Sequence, residues 1–361
     1  MKSIGIIVLN WQGWRDTLVC LDSLRSLVQK VPISLIVCDN GSSDDSFAQI
    51  LNWAQQYYTS SEMAVFDLGK EGVRGKEQEG VRSKEQGVRS LGGLGKTGNH
   101  SKFQEKWPSI NNINNINTNH PLPFVLIQTG ANLGFAGGNN VAIRYALTTQ
   151  QYEYLWLLNN DTVVDANALS ALYEYAALHP QIALLGSTVV DYYQRDRVQC
   201  AGGCRYWPLL TIFKPVFGGQ PVSWVMQYNV PIRLDYVFGA AMFLRVAAAQ
   251  KVGLLNEEYF LYYEELDYSQ RLKPQGYQIG WCQKSLVYHK GSASIGSVRE
   301  NKQLANYYEN LSTLKYTANF YPRWLPLVML SRFVGKSFAL ISRRDFYLFA
   351  PLFRAYRDFM A

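Results

Sequence analysis

Three carboxylates fall within four positions at Glu264, Glu265 and Asp267, directly behind the aromatic run Tyr259-Phe-Leu-Tyr-Tyr263. On an exposed face they would repel one another, whereas at a helix N-terminus the dipole stabilises them. An acid held there beside aromatic walls suits a general base. The plainer alternative is a solvated helix start with Glu264 or Glu265 near Arg271 at helical spacing. A second candidate is Asn159-Asn-Asp-Thr162, where Asp161 follows an apolar run and is able to hold a hard divalent cation bridging substrate phosphates. An Asx turn and helix cap fits the same residues. His289 is a metal ligand or a hydrogen-bonded core histidine.

Two further clusters lie nearer the N-terminus. Asp39-Asn-Gly-Ser-Ser-Asp-Asp45 follows the apolar Ile33 to Cys38 and precedes a helical stretch. It serves as a turn and cap, or it turns a carboxylate and freed amides toward a ligand. Asn132-Leu-Gly-Phe-Ala-Gly-Gly-Asn-Asn140 is a glycine-rich loop opening a helix, where backbone amides approach a nucleotide or sugar closely. Its register is not that of a dinucleotide or Walker loop, which weakens both of those readings.

The elements that must position these clusters follow from apolar periodicity. Residues 4 to 9, 33 to 38, 123 to 128, 152 to 158 and 182 to 189 are expected as buried strands, and 14 to 28, 44 to 57, 137 to 150 and 166 to 178 as helices. That alternation implies an α/β fold, a doubly wound, mostly parallel sheet covered on both faces. Ligands then gather beyond the carboxyl ends of the strands, where Asn10, Asp39, Asn132 and Asn159 to Thr162 stand.

Between 69 and 121 the pattern fails. Degenerate repeats run from Lys70-Glu-Gly-Val-Arg-Gly through Lys84-Glu-Gln-Gly-Val-Arg-Ser, with an Asn/Ile stretch at 111 to 117. Such composition buries too little apolar surface to order itself, so 69–121 is expected as a disordered insertion, or less plainly as a binding arm. The expected organisation is a catalytic domain over 1–300, interrupted by that insertion, and a helical aromatic and basic extension over 301–361.

The chain has 361 residues, 48% of them hydrophobic, and a formal charge of +7, an excess that suits anionic partners but is modest for a nucleic-acid binder. Met1 and Lys2 lead straight into a short apolar run, so no secretory leader is expected and the chain is placed in the cytoplasm. Its five cysteines have no paired spacing beyond Cys200 and Cys204, which argues against a disulfide framework. Arginines interrupt the apolar tail at Arg332, Arg343, Arg344, Arg354 and Arg357. A bilayer-spanning helix is therefore not expected, whereas 320–361 suits a helix lying in the membrane interface. A tail packed on the core, or one making a homodimer, shares that pattern.

Taken together and in order, these clusters resemble the family 2 inverting glycosyltransferases of the GT-A fold, in their rhamnosyltransferase-like branch. The matching residues are Ile7-Val-Leu-Asn10, Asp39-Asn-Gly-Ser-Ser-Asp44, Asn132 to Asn140, Leu158-Asn-Asn-Asp161, Gly239-Ala-Ala-Met242, Phe260 to Asp267, and His289. The resemblance covers about 1 to 68 and 122 to 320. It implies transfer of a sugar, rhamnose in that branch, from a nucleotide-diphosphate sugar to a glycan or lipid-linked acceptor, assisted by Mg²⁺ or Mn²⁺. It also implies that Asp39 contacts the base, and that Asn10, Asn132, Gly134, Asn140 and Asn160 line the donor pocket. Asp161 would match the last position of a D-x-D metal motif, with neutral Asn159 at its first position and His289 completing the site. Glu265 would be the catalytic base where the family usually carries Asp, with Glu264, Asp267 and Arg271 supporting it. Arg271 would pair with an acid or a pyrophosphate. A sugar nucleotidyltransferase, or an inactive scaffold of the same fold, is the alternative.

Overall fold

A computed structural model describes residues 3–28, 30–69, 122–291 and 299–361. Except for Gly69, the insertion expected over 69–121 lies outside the described residues. The chain runs β1 (Ser3–Asn10), α1 (Trp14–Arg25), β2 (Ile33–Asp39), α2 (Ser46–Tyr57), β3 (Met63–Asp67), β4 (Phe124–Gln128), α3 (Gly134–Thr149), β5 (Tyr152–Asn159), β6 (Thr162–Val164), α4 (Ala168–Leu178) and β7 (Ile182–Asp191). It continues through β8 (Val198–Ala201), β9 (Gly203–Trp207), β10 (Ile212–Pro215), α5 (Val222–Gln227), β11 (Tyr236–Val237), β12 (Ala241–Arg245), α6 (Val246–Val252), α7 (Glu264–Leu272) and β13 (Gln278–His289). Three helices close it, α8 (Arg299–Phe320), α9 (Leu325–Arg343) and α10 (Phe349–Met360).

The main sheet has the order β3-β4-β2-β1-β5-β12-β7-β13-β6, with β8 on β7, and a small sheet pairs β10, β9 and β11. Strands β3, β4, β2, β1 and β5 are mutually parallel, while β12 runs antiparallel between β5 and β7. Alternation within β1 shows why the centre is dry on both faces: Ile4, Ile6 and Val8 pack toward α1 and α2, and Ile7 packs with Val141, Ala142 and Tyr145 of α3. Each such fully buried aliphatic side chain contributes about 1.5–3 kcal/mol.

The five expected strands and four expected helices are all present. The periodicity passes over β3, a five-residue edge strand next to the repeats, and β12, whose antiparallel insertion is a tertiary choice. The tail bears on the membrane expectation without overturning it. Among the described residues, Pro322–Arg343 is long and apolar enough to cross a bilayer by length and composition. Its interrupting cations are turned inward: Arg332 donates to Glu309, Asn310 and Thr211, and Lys336 to Glu309.

Candidate active site

The carboxyl ends of β4, β2, β1 and β5 carry one continuous row of polar side chains. Gln128 Nε2 donates to Asp39 Oδ2 (2.7 Å), and Asn10 Nδ2 and Ser42 Oγ donate to Asp39 Oδ1 (2.6 and 2.5 Å). Thr17 Oγ1 donates to Asn10 Oδ1 at 2.8 Å, and Asn160 Nδ2 donates to Thr17 Oγ1 at 3.1 Å. Asp39 is therefore the hub of a closed network and is fully buried, so in this structure it presents no surface to a nucleotide base. Its carboxylate instead orients Asn10, Ser42 and Gln128. Asn40 fastens the glycine-rich loop to this row, accepting from the Leu133 N–H (3.0 Å) and donating to Asn132 Oδ1 (3.1 Å).

The glycine-rich loop meets the acidic helix through its backbone. The Phe135 N–H donates to Phe260 O at 2.8 Å, and Gly134 has φ +73° with room only for hydrogen, since a Cβ there would stand 2.2 Å from Phe260 O. Asn140 is set apart from this surface. Wholly buried, it donates to Leu255 O and Glu257 Oε1 (2.8 Å each) and accepts from the Leu255 N–H. Both ends of that amide are used in latching α3 to the 255–257 loop, so it does not line a donor pocket here.

Glu264 and Glu265 open α7 after two successive left-handed residues, Tyr262 (φ +67°) and Tyr263 (φ +76°). Bulky side chains seldom hold that conformation, which costs on the order of 1–3 kcal/mol each, and the surroundings must enforce it. Helix α8 supplies the support: Thr313 Oγ1 donates to the Tyr263 hydroxyl (3.0 Å) and Ser312 Oγ to Leu261 O (2.9 Å). Tyr259 and Tyr263 are core residues rather than an acceptor wall. Asp267 accepts from Arg271 Nε at 2.5 Å, and the Arg271 guanidinium also donates to Val252 O and Leu254 O. Arg271 thus pairs with an acid and pins the 252–254 loop. Neither Glu264 nor Glu265 is its partner.

Oε2 of Glu264 and Oε2 of Glu265 are buried without a hydrogen-bond partner among the described residues. Burial, and then the neighbouring Glu265 charge, push the Glu264 carboxyl well above the usual range. Burial pushes Glu265 up to about 7. Both carboxyls are therefore pushed toward the protonated form, with Glu265 poised to gain or lose a proton near neutrality.

Asp161 and His289 meet at the ends of β5 and β13. His289 Nε2 lies 3.2 Å from Asp161 Oδ1, and both residues are buried. His289 Nδ1 stands 2.9 Å from Gln199 Oε1, and the Gln199 Nε2 group donates to His289 O at 2.9 Å. Gln199 Oε1 only accepts, so Nδ1 carries a proton. In the neutral ring Nε2 is then a bare lone pair facing a carboxylate oxygen that has no aligned donor. Two lone pairs set that close fit a shared cation, and an imidazole oriented through its other nitrogen is the usual arrangement of a ligating histidine. No group of three or more His, Cys, Asp or Glu able to hold a metal occurs among the described residues, so phosphate oxygens and water would complete the coordination. Asn159, half-buried at the end of β5, is near enough in sequence to join as a neutral ligand.

The two acidic centres are linked through one short segment. The Phe238 ring stands edge-on to His289 (centroids 6.0 Å apart), and at the next residue, Gly239, a Cβ would lie 3.4 Å from Glu265 Oε1. Ala240 O accepts from the Asn159 N–H at 3.1 Å, tying that segment to the end of β5. Gly239-Ala-Ala-Met242 is thus the bridge between base and metal candidates. No individual signal in the sequence marks Gln199, Gln128, Thr17 or Phe238, whose roles rest on contacts with residues as far as 143 positions away.

No family model matches the chain. It is 28% identical over 163 residues to the low-salt glycan biosynthesis hexosyltransferase Agl10 of Haloferax volcanii, a match covering 44% of this chain and 48% of that protein. The match therefore spans about half the length of the curated relative. Among solved structures, GalNAc-T7 crystallised with UDP, GalNAc and Mn²⁺ superposes with a TM-score of 0.51 at 10% identity, over 87% of this chain and 51% of that one. The mannosyltransferase PcManGT from Pyrobaculum calidifontis, solved with GDP-Man and Mn²⁺, aligns over 99% of this chain and 86% of its own, at 11% identity and a TM-score of 0.48. With its mixed sheet and the polar row along its carboxyl edge, this chain has the α/β fold of the GT-A glycosyltransferases.

Proposed function

We propose that the protein transfers a hexosyl group from a nucleotide-diphosphate sugar to an acceptor hydroxyl, with inversion at the anomeric carbon. The observation that supports this reading is the Phe238-Gly239 segment, which touches His289 of the Asp161 and His289 pair on one side and approaches Glu265 on the other. The Glu265 carboxylate takes the proton of the acceptor alcohol, and the alcohol oxygen forms a bond to the anomeric carbon. The bond from that carbon to the phosphate oxygen breaks, and the nucleoside diphosphate leaves with the electron pair. A positioned base of this kind is worth on the order of 10²–10⁴ in rate. Burial and the Glu265 charge bias Glu264 toward its neutral form, which limits like-charge repulsion at the base. Mg²⁺ or Mn²⁺ held by Asp161 and His289, with Asn159 as a neutral third donor, would supply positive charge to the departing diphosphate.

On the donor side, Asn132 and Gly134 sit on the loop that abuts the acidic helix, and Asn10 and Asn160 hold the row beneath it. The similarity to a glycan-building hexosyltransferase and the UDP, GalNAc and Mn²⁺ found with GalNAc-T7 on this fold both favour a nucleotide-sugar donor. A glycan or lipid-linked acceptor and a rhamnosyl donor follow from the resemblance in sequence. The test is a panel of nucleotide sugars scored by thermal stabilisation with and without Mn²⁺, beginning with deoxythymidine diphosphate rhamnose. A ligand at a hundredfold its dissociation constant adds about 2.7 kcal/mol. Stabilisation that Asp161→Ala abolishes, followed by transfer that Glu265→Gln abolishes, is the expected result. No stabilisation by any nucleotide sugar would overturn the reading.

A further inference from the structure

Helix α9 is built inside out for a helix in water. Its cations Arg332 and Lys336 face inward onto Glu309, at 2.9 and 2.7 Å, while Leu327, Leu330, Val334, Phe338 and Ile341 face outward, each more than half exposed. Their spacing of three and four places them in one stripe along the helix. An exposed stripe of that length marks a surface that something apolar covers.

A second element extends it. The tip joining β9 to β10 exposes Leu210, Ile212 and Phe213, and its Thr211 hydroxyl accepts from Arg332 Nη1 at 2.9 Å, so the tip is fastened directly to α9. At the far end, three positions beyond Ile341, Arg344 joins Arg299 and Lys302 around a recess of about 390 Å³ also lined by Phe346 and Tyr347. Among the described residues none of these three cations forms an ion pair with a carboxylate, although Glu300 and Asp345 are their neighbours in sequence; Arg299 rests over the Tyr347 ring at 4.7 Å. An apolar stripe ending in a cluster of unneutralised cations is complementary to acyl chains beneath a layer of phosphates.

We propose that α9 and the β9–β10 tip dock this protein on the surface of an anionic bilayer, with a lipid phosphate seated between Arg299, Lys302 and Arg344. The docking is peripheral, because crossing the bilayer would require breaking the buried contacts of Arg332 with Glu309, Asn310 and Thr211. The surface adjoins the cleft, since Tyr206 of β9 packs edge-on against Tyr263, the residue before Glu264. An acceptor carried in the bilayer, a step that rests on the sugar-transfer reading, would approach Glu265 from this side.

Cosedimentation of the full chain with phosphatidylcholine vesicles tests this, comparing vesicles containing about a third phosphatidylglycerol with pure phosphatidylcholine. Binding is expected to the anionic vesicles, to weaken with salt, and to be lost in Leu330→Glu/Phe338→Glu, two exposed positions whose change leaves the melting temperature alone. Arg299→Ala/Lys302→Ala/Arg344→Ala is expected to lose roughly fivefold in affinity per cation, because each basic residue near an anionic surface adds about 1 kcal/mol. Equal recovery of wild type and both variants would overturn the proposal. So would membrane association that survives alkaline carbonate, which would show insertion, or a dimer that Leu330→Glu/Phe338→Glu separates while vesicles bind neither form. Stabilisation by inorganic phosphate without vesicle binding would assign the recess to a soluble anion instead. Vesicle binding is read without turnover, so it fails or succeeds independently of the enzymatic reading.

Discussion

At the scale of single residues, the chemistry depends on two neighbouring carboxyls that burial pushes toward their protonated forms. Because burial raises Glu265 to about 7 from an ordinary 4.5, the folded protein keeps a proton there that the unfolded chain releases. Stability therefore falls as pH rises from about 4.5 to 7, and the cost is fully present above that window. Glu265→Gln removes the cost. Its melting temperature is expected to match or exceed wild type above pH 7, measured by calorimetry, while transfer falls by roughly 10²–10⁴. In wild type the rate should decline below about pH 7 as the base becomes protonated, and an acid limb near the ordinary glutamate value would contradict the assignment. The metal candidate makes its own demand. Gln199→Leu takes away the acceptor that orients His289 Nδ1 and is expected to lower Mn²⁺ affinity about 10- to 100-fold, read from metal titration of thermal stability with nucleoside diphosphate present.

At the scale of elements, the cleft exists because loops are held in conformations they would not adopt alone. Gly134 is one hinge of this arrangement, with a positive φ and the Phe260 carbonyl pressed against its α-carbon. Gly134→Ala adds both the left-handed penalty, about 1–2 kcal/mol, and a clash with backbone. Urea denaturation should show a loss at least that large, and a loss of only a few tenths would mean that the loop and α7 are not in contact. The strained Tyr262 and Tyr263 pair answers to α8, whose Ser312 and Thr313 fasten Leu261 and Tyr263. That helix acts as part of the frame that aims Glu265.

At the scale of the whole molecule, the parallel pairing of β3 with β4 constrains the segment between them. Met63 stands opposite Phe124 and Asp67 opposite Gln128, so the chain leaving β3 must return the length of five residues, about 17 Å at 3.3–3.4 Å each, before β4 begins. Joining Gly69 directly to Pro121 leaves five residues between the strands, fewer than the dozen or so that a parallel crossover needs. Replacing 70–120 with a flexible linker of about a dozen residues, the length a parallel crossover needs, is expected to leave folding and nucleotide stabilisation unchanged. The seamless deletion is expected to release β3, visible as lost amide protection in Ala64 to Phe66. A linker version that fails to fold would show that the repeats are structural.

By itself the sequence determined four of the five strands of the parallel half of the sheet and the polar residues at their carboxyl ends, because period-two and period-3.6 burial and turn residues are local properties. What it left open was which polar residues remain available. Asp39 and Asn140 have the right chemical types, yet both are enclosed by partners distant in the chain, and only packing decides that. The antiparallel entry of β12, which carries Gly239 to Glu265, and the inward turn of Arg332, which leaves leucines facing out, likewise come from tertiary contacts. A short apolar run is compatible with several neighbours, and the lowest free energy among them is a property of the assembled molecule.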